Sequence, residues 1–227
     1  MAWSVDRDGF AMMEGFLPET EVEGLVLSLE GGIGAEKSRG GVRNLLDLPS
    51  IRDFASSPPV RTAVERVLGR DARAVKGILF DKTEGANWKV PWHQDVTITV
   101  SAKVEVDGYG PWSMKAGVLH VQPPSSVLER MISLRIHLDD CPEENGALRV
   151  IAGSHKTGKL DERAVQRIAG EGSAVVCAMQ RGGLLMMRPL LIHASSASII
   201  PGHRRVIHLD YAAAELTEGM NWASDHA

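Results

Sequence analysis

Apolar residues recur along this chain in two rhythms. Val22, Leu25, Val26 and Leu29 repeat at i, i+3, i+4 and i+7, the stripe of an amphipathic helix. Pro18 suits its first turn and Gly31-Gly32 its end. A second helix is predicted after Pro58-Pro59, with Val60, Ala63, Val64, Val67 and Leu68 on one face and Gly69 as its C-terminal cap. Beyond the first ~70 residues the pattern shortens to strand-like runs. Candidate strands are Ala74–Lys82, Trp92–Val100, Ile132–Leu138, Ala147–Ile151, Ala174–Ala178, Leu184–Met187, Leu190–His193 and His203–Tyr211. Glu144-Asn145-Gly146 marks a turn, and only Asp161–Ala169 reads as helical in this stretch. Many short strands without a strand–helix alternation predict a barrel or double-sheet jelly roll, mainly β with flanking α-helices. The mainly helical N-terminal part, residues 1–70, is expected to pack on that β core within a single domain spanning 1–227.

Composition narrows the class. The chain has 227 residues and a formal charge of -4, which argues against a general nucleic-acid or anionic-membrane partner. Two cysteines, Cys141 and Cys177, form neither a CxxC pair nor a disulfide framework, as expected of a cytoplasmic protein. The opening MAWSVDRDGF has no apolar signal core, and no run is long enough to span a membrane. Nothing in the pattern sets an oligomeric state.

Candidate chemistry centres on histidine. In an extended strand His93 and Asp95 point to the same face, so an imidazole and a carboxylate can share one ion. The tripeptide alone carries little weight. Chance predicts about half a copy. Three occur: His93-Gln-Asp95, His137-Leu-Asp139 and His208-Leu-Asp210. Context selects the first. It follows a turn-rich, aromatic loop and precedes His193, where an apolar run ends in small polar residues. Two His and one carboxylate on one side of a metal leave positions open for co-substrate and oxygen.

Arg204 follows eleven residues after His193, and in a strand it shares a face with Val206 and His208. An inward guanidinium beside a metal requires an anion, and a dicarboxylate that chelates the metal at one end supplies one at the other. Arg205, on the opposite face, reads as a solvated surface charge.

In order and spacing, His93-x-Asp95, Asn145-Gly-Ala-Leu-Arg-Val-Ile-Ala-Gly-Ser-His155, His193 and Arg204 resemble the phytanoyl-CoA dioxygenase family, as does the opening Asp8-Gly-Phe-Ala-Met-Met-Glu-Gly-Phe-Leu-Pro. The resemblance implies a cupin-like double-stranded β-helix, Fe(II) held by His93, Asp95 and His193, and 2-oxoglutarate held by Arg204. It further implies use of O2 to hydroxylate a small-molecule substrate. Asp95 separates the chain from related halogenases, in which a small residue makes room for chloride. The family name does not by itself imply a CoA ester.

Weaker candidates surround this set. Ile78, Phe80 and Lys82 share a strand face, where Lys82 either assists 2-oxoglutarate or is a surface lysine. Arg135 and His137 share a face with Ser133 and are substrate-binding candidates if it points inward. Trp112, with Trp88 and Trp92, is a candidate for the pocket entrance, although tryptophans are more often packing. Arg43-Asn44 is a further substrate candidate, and Gly153-Ser154-His155 reads as a turn. Three competing readings remain: a cupin-like metal protein without 2-oxoglutarate, a non-catalytic 2-oxoglutarate-binding homologue, and a metal held at His137-Asp139.

Overall fold

The computed structural model describes residues 3–33, 41–199, 202–217 and 219–226. Its helices are α1 Val5–Asp8, α2 Glu19–Gly32, α3 Pro49–Ala55, α4 Pro58–Leu68, α5 Ser125–Leu128 and α6 Glu162–Glu171. Its strands are β1 Phe10–Met13, β2 Val42–Arg43, β3 Arg73–Lys82, β4 Val90–His93, β5 Ile98–Val100, β6 Trp112–Lys115, β7 Val118–Val121, β8 Met131–His137, β9 Leu148–Ile151, β10 Ala174–Cys177, β11 Leu184–Met187, β12 His193–Ser195 and β13 Arg204–Ala212. They form a six-stranded sheet, β1-β11-β8-β13-β3-β2, a four-stranded sheet, β10-β9-β12-β4, and a three-stranded sheet, β5-β7-β6. Every pairing is antiparallel. This is the double-stranded β-helix with helices outside.

The helical layer forms where the apolar stripe predicts it. Val22, Leu25 and Leu29 of α2 and Val60, Ala63 and Val64 of α4 bury against Ile132, Leu134, Ile136, Ile207 and Leu209 of the large sheet. The Tyr211 hydroxyl donates to the Ala55 carbonyl at 2.9 Å and ties sheet to α3. Pro58 opens α4, and the Asp161 carboxylate accepts from Ala164 N–H at 2.8 Å to cap α6.

Two strand expectations need correction, and β1, β2, β6 and β7 lie outside the predicted strands. The N-terminal part is not purely helical: β1 pairs with β11 on one edge of the large sheet, and β2 pairs with β3 on the other. The predicted strand Trp92–Val100 is broken after His93, and its two halves join different sheets. The predicted Leu190–His193 strand instead begins at His193 and runs to Ser195. The three-stranded sheet contains β6 and β7, which lack the long alternating runs that betray a strand.

Candidate active site

Two neighbouring strands bring the histidines together. β12 pairs with β4 so that His193 lies opposite His93, and their ring centroids are 4.1 Å apart. Asp95 is not on a strand. It lies in the loop after β4, where its N–H donates to the Pro189 carbonyl at 2.9 Å. The expected common strand face is therefore replaced by a pinned loop, with the same convergence. Asp95 Oδ1 lies 3.7 Å from His93 Nε2, and Oδ2 lies 3.6 Å from His193 Nε2. One donor atom from each residue falls within 4.8 Å of the others.

The hydrogen bonds around these rings select one tautomer. His93 Nδ1 donates to the Pro91 carbonyl and His193 Nδ1 to the Leu191 carbonyl, each at 2.8 Å. This assignment follows from the partners. It leaves both Nε2 lone pairs facing Asp95, as metal ligation requires. Burial pushes His193 down to about 4, against the opposing pull of Asp95, so its imidazole is neutral at pH 7. Burial alone would raise Asp95, but the positive charge of His193 and His93 when protonated, and that of Lys76, outweigh it and lower its pKa. Two imidazoles and one carboxylate, with cavity space on one side, are a donor set that fits Fe(II).

Residues between and beyond the ligands hold them in place. Gln94 points away from the cavity, donates to the Gly158 and Leu190 carbonyls at 2.9 and 2.7 Å, and accepts from Leu160 N–H at 2.9 Å. Ser154 Oγ accepts from Ile192 N–H at 2.9 Å, and Gly153 N–H donates to the Asp8 carbonyl at 2.7 Å. Gly9 has φ 84°, and a Cβ there would meet His155 Nδ1 at 2.5 Å and Leu191 Cδ1 at 2.7 Å. The Asp8-Gly9-Phe10 and Gly153-Ser154-His155 segments are thus one buttress beneath the strand that carries His193.

Next to the triad the cavity turns cationic. Arg204 is 3% exposed, and its Nε has no hydrogen-bond partner among the described residues. It pairs in register with Lys82, which is 1% exposed, so the surface-lysine reading is wrong. Lys82 Nζ donates to Ser195 Oγ at 3.2 Å and to the Ser196 carbonyl. Gly146, with φ 68°, permits this clamp: a Cβ there would lie 2.5 Å from the Ser196 carbonyl oxygen and 3.1 Å from Lys82 Nζ. Burial pushes Lys82 down to about 8, helped by Arg204. Arg135 lies on the same wall and is pushed down to about 10 by burial and by Arg204. It stacks over Phe80 at 5.3 Å and lies 3.2 Å from His208 Nδ1.

The other HxD copies have other work. Asp139 accepts Arg205 Nε and Nη2 at 2.9 and 2.8 Å, so Arg205 is a half-buried, paired charge rather than a solvated one. His208 Nε2 donates to Asp210 Oδ1 at 2.8 Å. Asp210 also accepts Ser133 Oγ at 2.6 Å and Lys76 Nζ at 2.7 Å. His137 is buried behind the cavity, is held neutral by burial and by Arg135, and does not line the wall. Trp112 lies on β6, packs with the Ile98–Val121 cluster and also stays off the wall. Trp88 does line it, 5.9 Å from Lys82 Nζ. Gln94, Lys76, Asp210 and His120 were not singled out from sequence. The one available signal was alternation, which puts Lys76 on the face of Lys82.

The triad cavity has a volume of about 200 Å³. It shares Arg43, Lys76, Ile78 and His120 with a second cavity of about 710 Å³. Together they offer room for a co-substrate beside the triad and a larger molecule outside.

A double-stranded β-helix enclosing this His-Asp-His cluster and a buried unpaired arginine defines a class, the 2-oxoglutarate-dependent non-haem iron oxygenases. The sequence profile of the phytanoyl-CoA dioxygenase (PhyH) family matches residues 5–206, and the chain belongs to that family. Among curated proteins none matches the sequence. Solved structures that share the fold include these three. HygX from Streptomyces hygroscopicus, with nickel and 2-oxoglutarate bound, is 19% identical at TM-score 0.67 and covers 94% of this chain and 86% of its own. EctD from S. alaskensis, with 2-oxoglutarate and 5-hydroxyectoine, is 21% identical at TM-score 0.69, covering 92% and 73%. SnoK, a non-haem α-ketoglutarate-dependent carbocyclase from nogalamycin biosynthesis, is 16% identical at TM-score 0.68, covering 92% and 81%. The chain is accordingly an Fe(II)- and 2-oxoglutarate-dependent oxygenase.

Proposed function

We propose that the chain hydroxylates a C–H bond of a small-molecule substrate, with His93, Asp95 and His193 as iron ligands and Arg204 as the anchor of the 5-carboxylate of 2-oxoglutarate. When bound, the metal and co-substrate supply the oxidation: one oxygen atom of O2 goes into the substrate C–H bond and the other into succinate, with release of CO2. The chain's own residues bind and orient. The Pro91 and Leu191 carbonyls hold the imidazoles with Nε2 outward, and Gln94 fixes the loop that presents Asp95. Arg204 offers a fork to a carboxylate, and Lys82 adds a second cation held by Ser195 and Ser196. Ile78 and Phe80 add an apolar wall to the cavity. Arg135 is the inner-face candidate that meets this cavity, and we retain it as a contact for bound anions. Both cysteines are free and buried, which suits a cytoplasmic setting.

The observation that carries this reading is the pairing of His193 with His93 around Asp95, beside the unpartnered buried Arg204. Its test is anaerobic Fe(II) binding by wild type, His93→Ala and His137→Ala, followed by succinate release on adding O2, 2-oxoglutarate and a metabolite panel. Wild type and His137→Ala should bind iron, and His93→Ala should not. Full iron retention by His93→Ala sinks the assignment. Iron binding without succinate across the panel favours a metal protein that does not turn over 2-oxoglutarate.

A further inference from the structure

Among the described residues four line both cavities: Arg43, Lys76, Ile78 and His120. They form the junction between the space beside the triad and the larger space outside. Lys76 is paired with Asp210, and Ile78 is apolar. Arg43 and His120 have hydrogen-bonding capacity left over. Neither the Arg43 guanidinium nor His120 Nε2 has a hydrogen-bond or ion-pair partner among the described residues.

His120 is fixed in the same way as the two triad histidines. It lies on β7 between Thr99 of β5 and Ser113 of β6, and is 2% exposed. Its Nδ1 donates to the Val118 carbonyl at 3.0 Å. That is the carbonyl two residues back, as Pro91 is for His93 and Leu191 for His193. The partner assigns the proton to Nδ1 and leaves a lone pair on Nε2. Nε2 is not sealed in protein but opens onto the cavity. Burial pushes His120 down to about 4, against the pull of the Val118 carbonyl and with Lys76, Lys115 and Arg43 adding to it, so the ring is neutral at pH 7.

A neutral imidazole in this tautomer only accepts at Nε2, and a guanidinium only donates. A group that satisfies both must donate and accept. A hydroxyl does so with one oxygen atom. An ammonium would donate to His120, but the three cations around the ring repel it. A carboxylate would accept from Arg43 but leave His120 without a donor.

We propose that His120 is a specificity-determining residue: its Nε2 accepts a hydrogen bond from a neutral hydroxyl group of the substrate, and Arg43 donates to the same oxygen. A molecule gripped at the junction has one side in the triad cavity and the other in the larger one. This deepens the site under Proposed function, and rests on that reading only for the claim that the bound molecule is oxidised.

The experiment is nitrogen-15 NMR of the full chain, labelled at histidine and loaded with zinc and excess 2-oxoglutarate, during titration with cyclohexanol and cyclohexanone. The two probes match in size and both accept, but only the alcohol donates. In the free protein His120 Nε2, assigned through its own backbone and absent from His120→Phe, should resonate as an unprotonated nitrogen. Cyclohexanol should move it towards the protonated position, and cyclohexanone should leave it in place. Cyclohexanol should bind about fivefold more tightly than cyclohexanone, and His120→Phe should bind the two alike. Arg43→Met should weaken both probes about threefold and keep the alcohol-specific movement. If His120→Phe does not fold, the wild-type titration decides alone. A protonated Nε2 in the free protein, a resonance that ignores the alcohol up to its solubility limit, or one that moves equally with the ketone overturns the proposal. Repetition without zinc and 2-oxoglutarate places the probe: a response seen only then puts the alcohol in the co-substrate pocket and overturns the proposal too. The same response in a chain that never binds 2-oxoglutarate leaves the hydroxyl contact standing and removes the oxygenase reading.

Discussion

Along the central strands β8 and β13 the two faces of the six-stranded sheet are both buried and chemically opposite. Along β8, Ile132, Leu134 and Ile136 face the helices, while Ser133, Arg135 and His137 face the barrel interior, and all six are buried. β13 repeats the division, with Ile207, Leu209 and Tyr211 outside and Arg204, Val206, His208 and Asp210 inside. Register turns the inner residues into rungs: Lys76–Asp210–Ser133, Ile78–His208–Arg135, Phe80–Val206–His137 and Lys82–Arg204. Burying apolar area stabilises the fold, whereas burying charge costs stability unless it is paired. The outer face therefore supports folding and the inner face ligand binding, on the same strands one residue apart.

The most direct way to break that comparison is to substitute on the outer face alone. Leu134 has no exposed surface. Leu134→Ala should cost about 2–5 kcal/mol in chemical denaturation. Affinity for 2-oxoglutarate should stay within about twofold, because β8 keeps its register. A large loss of affinity would show that the two faces are coupled.

The inner face predicts the reverse. Arg204→Met removes a buried, unpaired charge and leaves a side chain of similar length. Stability should hold or rise. Affinity for 2-oxoglutarate should fall by about 2–3 kcal/mol, roughly 30- to 150-fold, as measured by calorimetry. Unchanged affinity would remove Arg204 from the co-substrate site.

Lys82 sharpens the same point through pH. Its folded pKa of about 8 lies below the ordinary lysine value, so the folded protein bears the cost of the charge below pH 8. As pH rises from about 8 towards about 10.4, the proton leaves the folded state first, and this contribution to stability improves. Binding moves the other way, because only the charged amine attracts a carboxylate. 2-Oxoglutarate affinity should fall by about tenfold above pH 8. Lys82→Met should bind more weakly at neutral pH and lose that step. A step that persists in Lys82→Met would belong to another group.

These faces also explain what was legible in the sequence. Alternation along Ile132–Leu138 and His203–Tyr211 showed which residues share a face, and short-range order in His93-x-Asp95, His193 and Arg204 singled out the cluster that the fold assembles. Alternation does not say which face meets solvent. In a barrel with a charged interior the polar face is the inner one, so Lys82 passed equally well for a surface lysine, and Ser133 and Asp210 were noted without a role. The break after His93 was hidden because Val96–Val100 remains β-branched. What ends the strand is Gln94, bonding to Gly158 and Leu190, far away in sequence. His137 and Trp112 were misplaced for the same reason: His137 pairs with the distant β13, and Trp112, although its strand pairs locally with β7, packs in a cluster with Val75, Leu190 and Trp222 from far along the chain.

The smallest expected effect tests whether the inner rungs are merely tolerated or mutually supporting. Ser133 Oγ donates to Asp210 Oδ1 at 2.6 Å, beside the Lys76 and His208 contacts. Burial opposes ionisation of Asp210, but Lys76 and His208 hold its carboxyl well below the usual carboxylate range. Its stabilisation is thus present above the unfolded pKa of about 3.9 and is lost as pH falls below that value, by up to about 1.4 kcal/mol per pH unit. Ser133→Ala removes one donor and leaves two, so neutral stability should drop by only about 1 kcal/mol. The Asp210 pKa should rise towards its unfolded value, and acid unfolding should begin at slightly higher pH. A Ser133→Ala protein as stable as wild type from neutral pH down to the acid transition would mean that Lys76 and His208 hold Asp210 without help, and that the rung is two contacts rather than three.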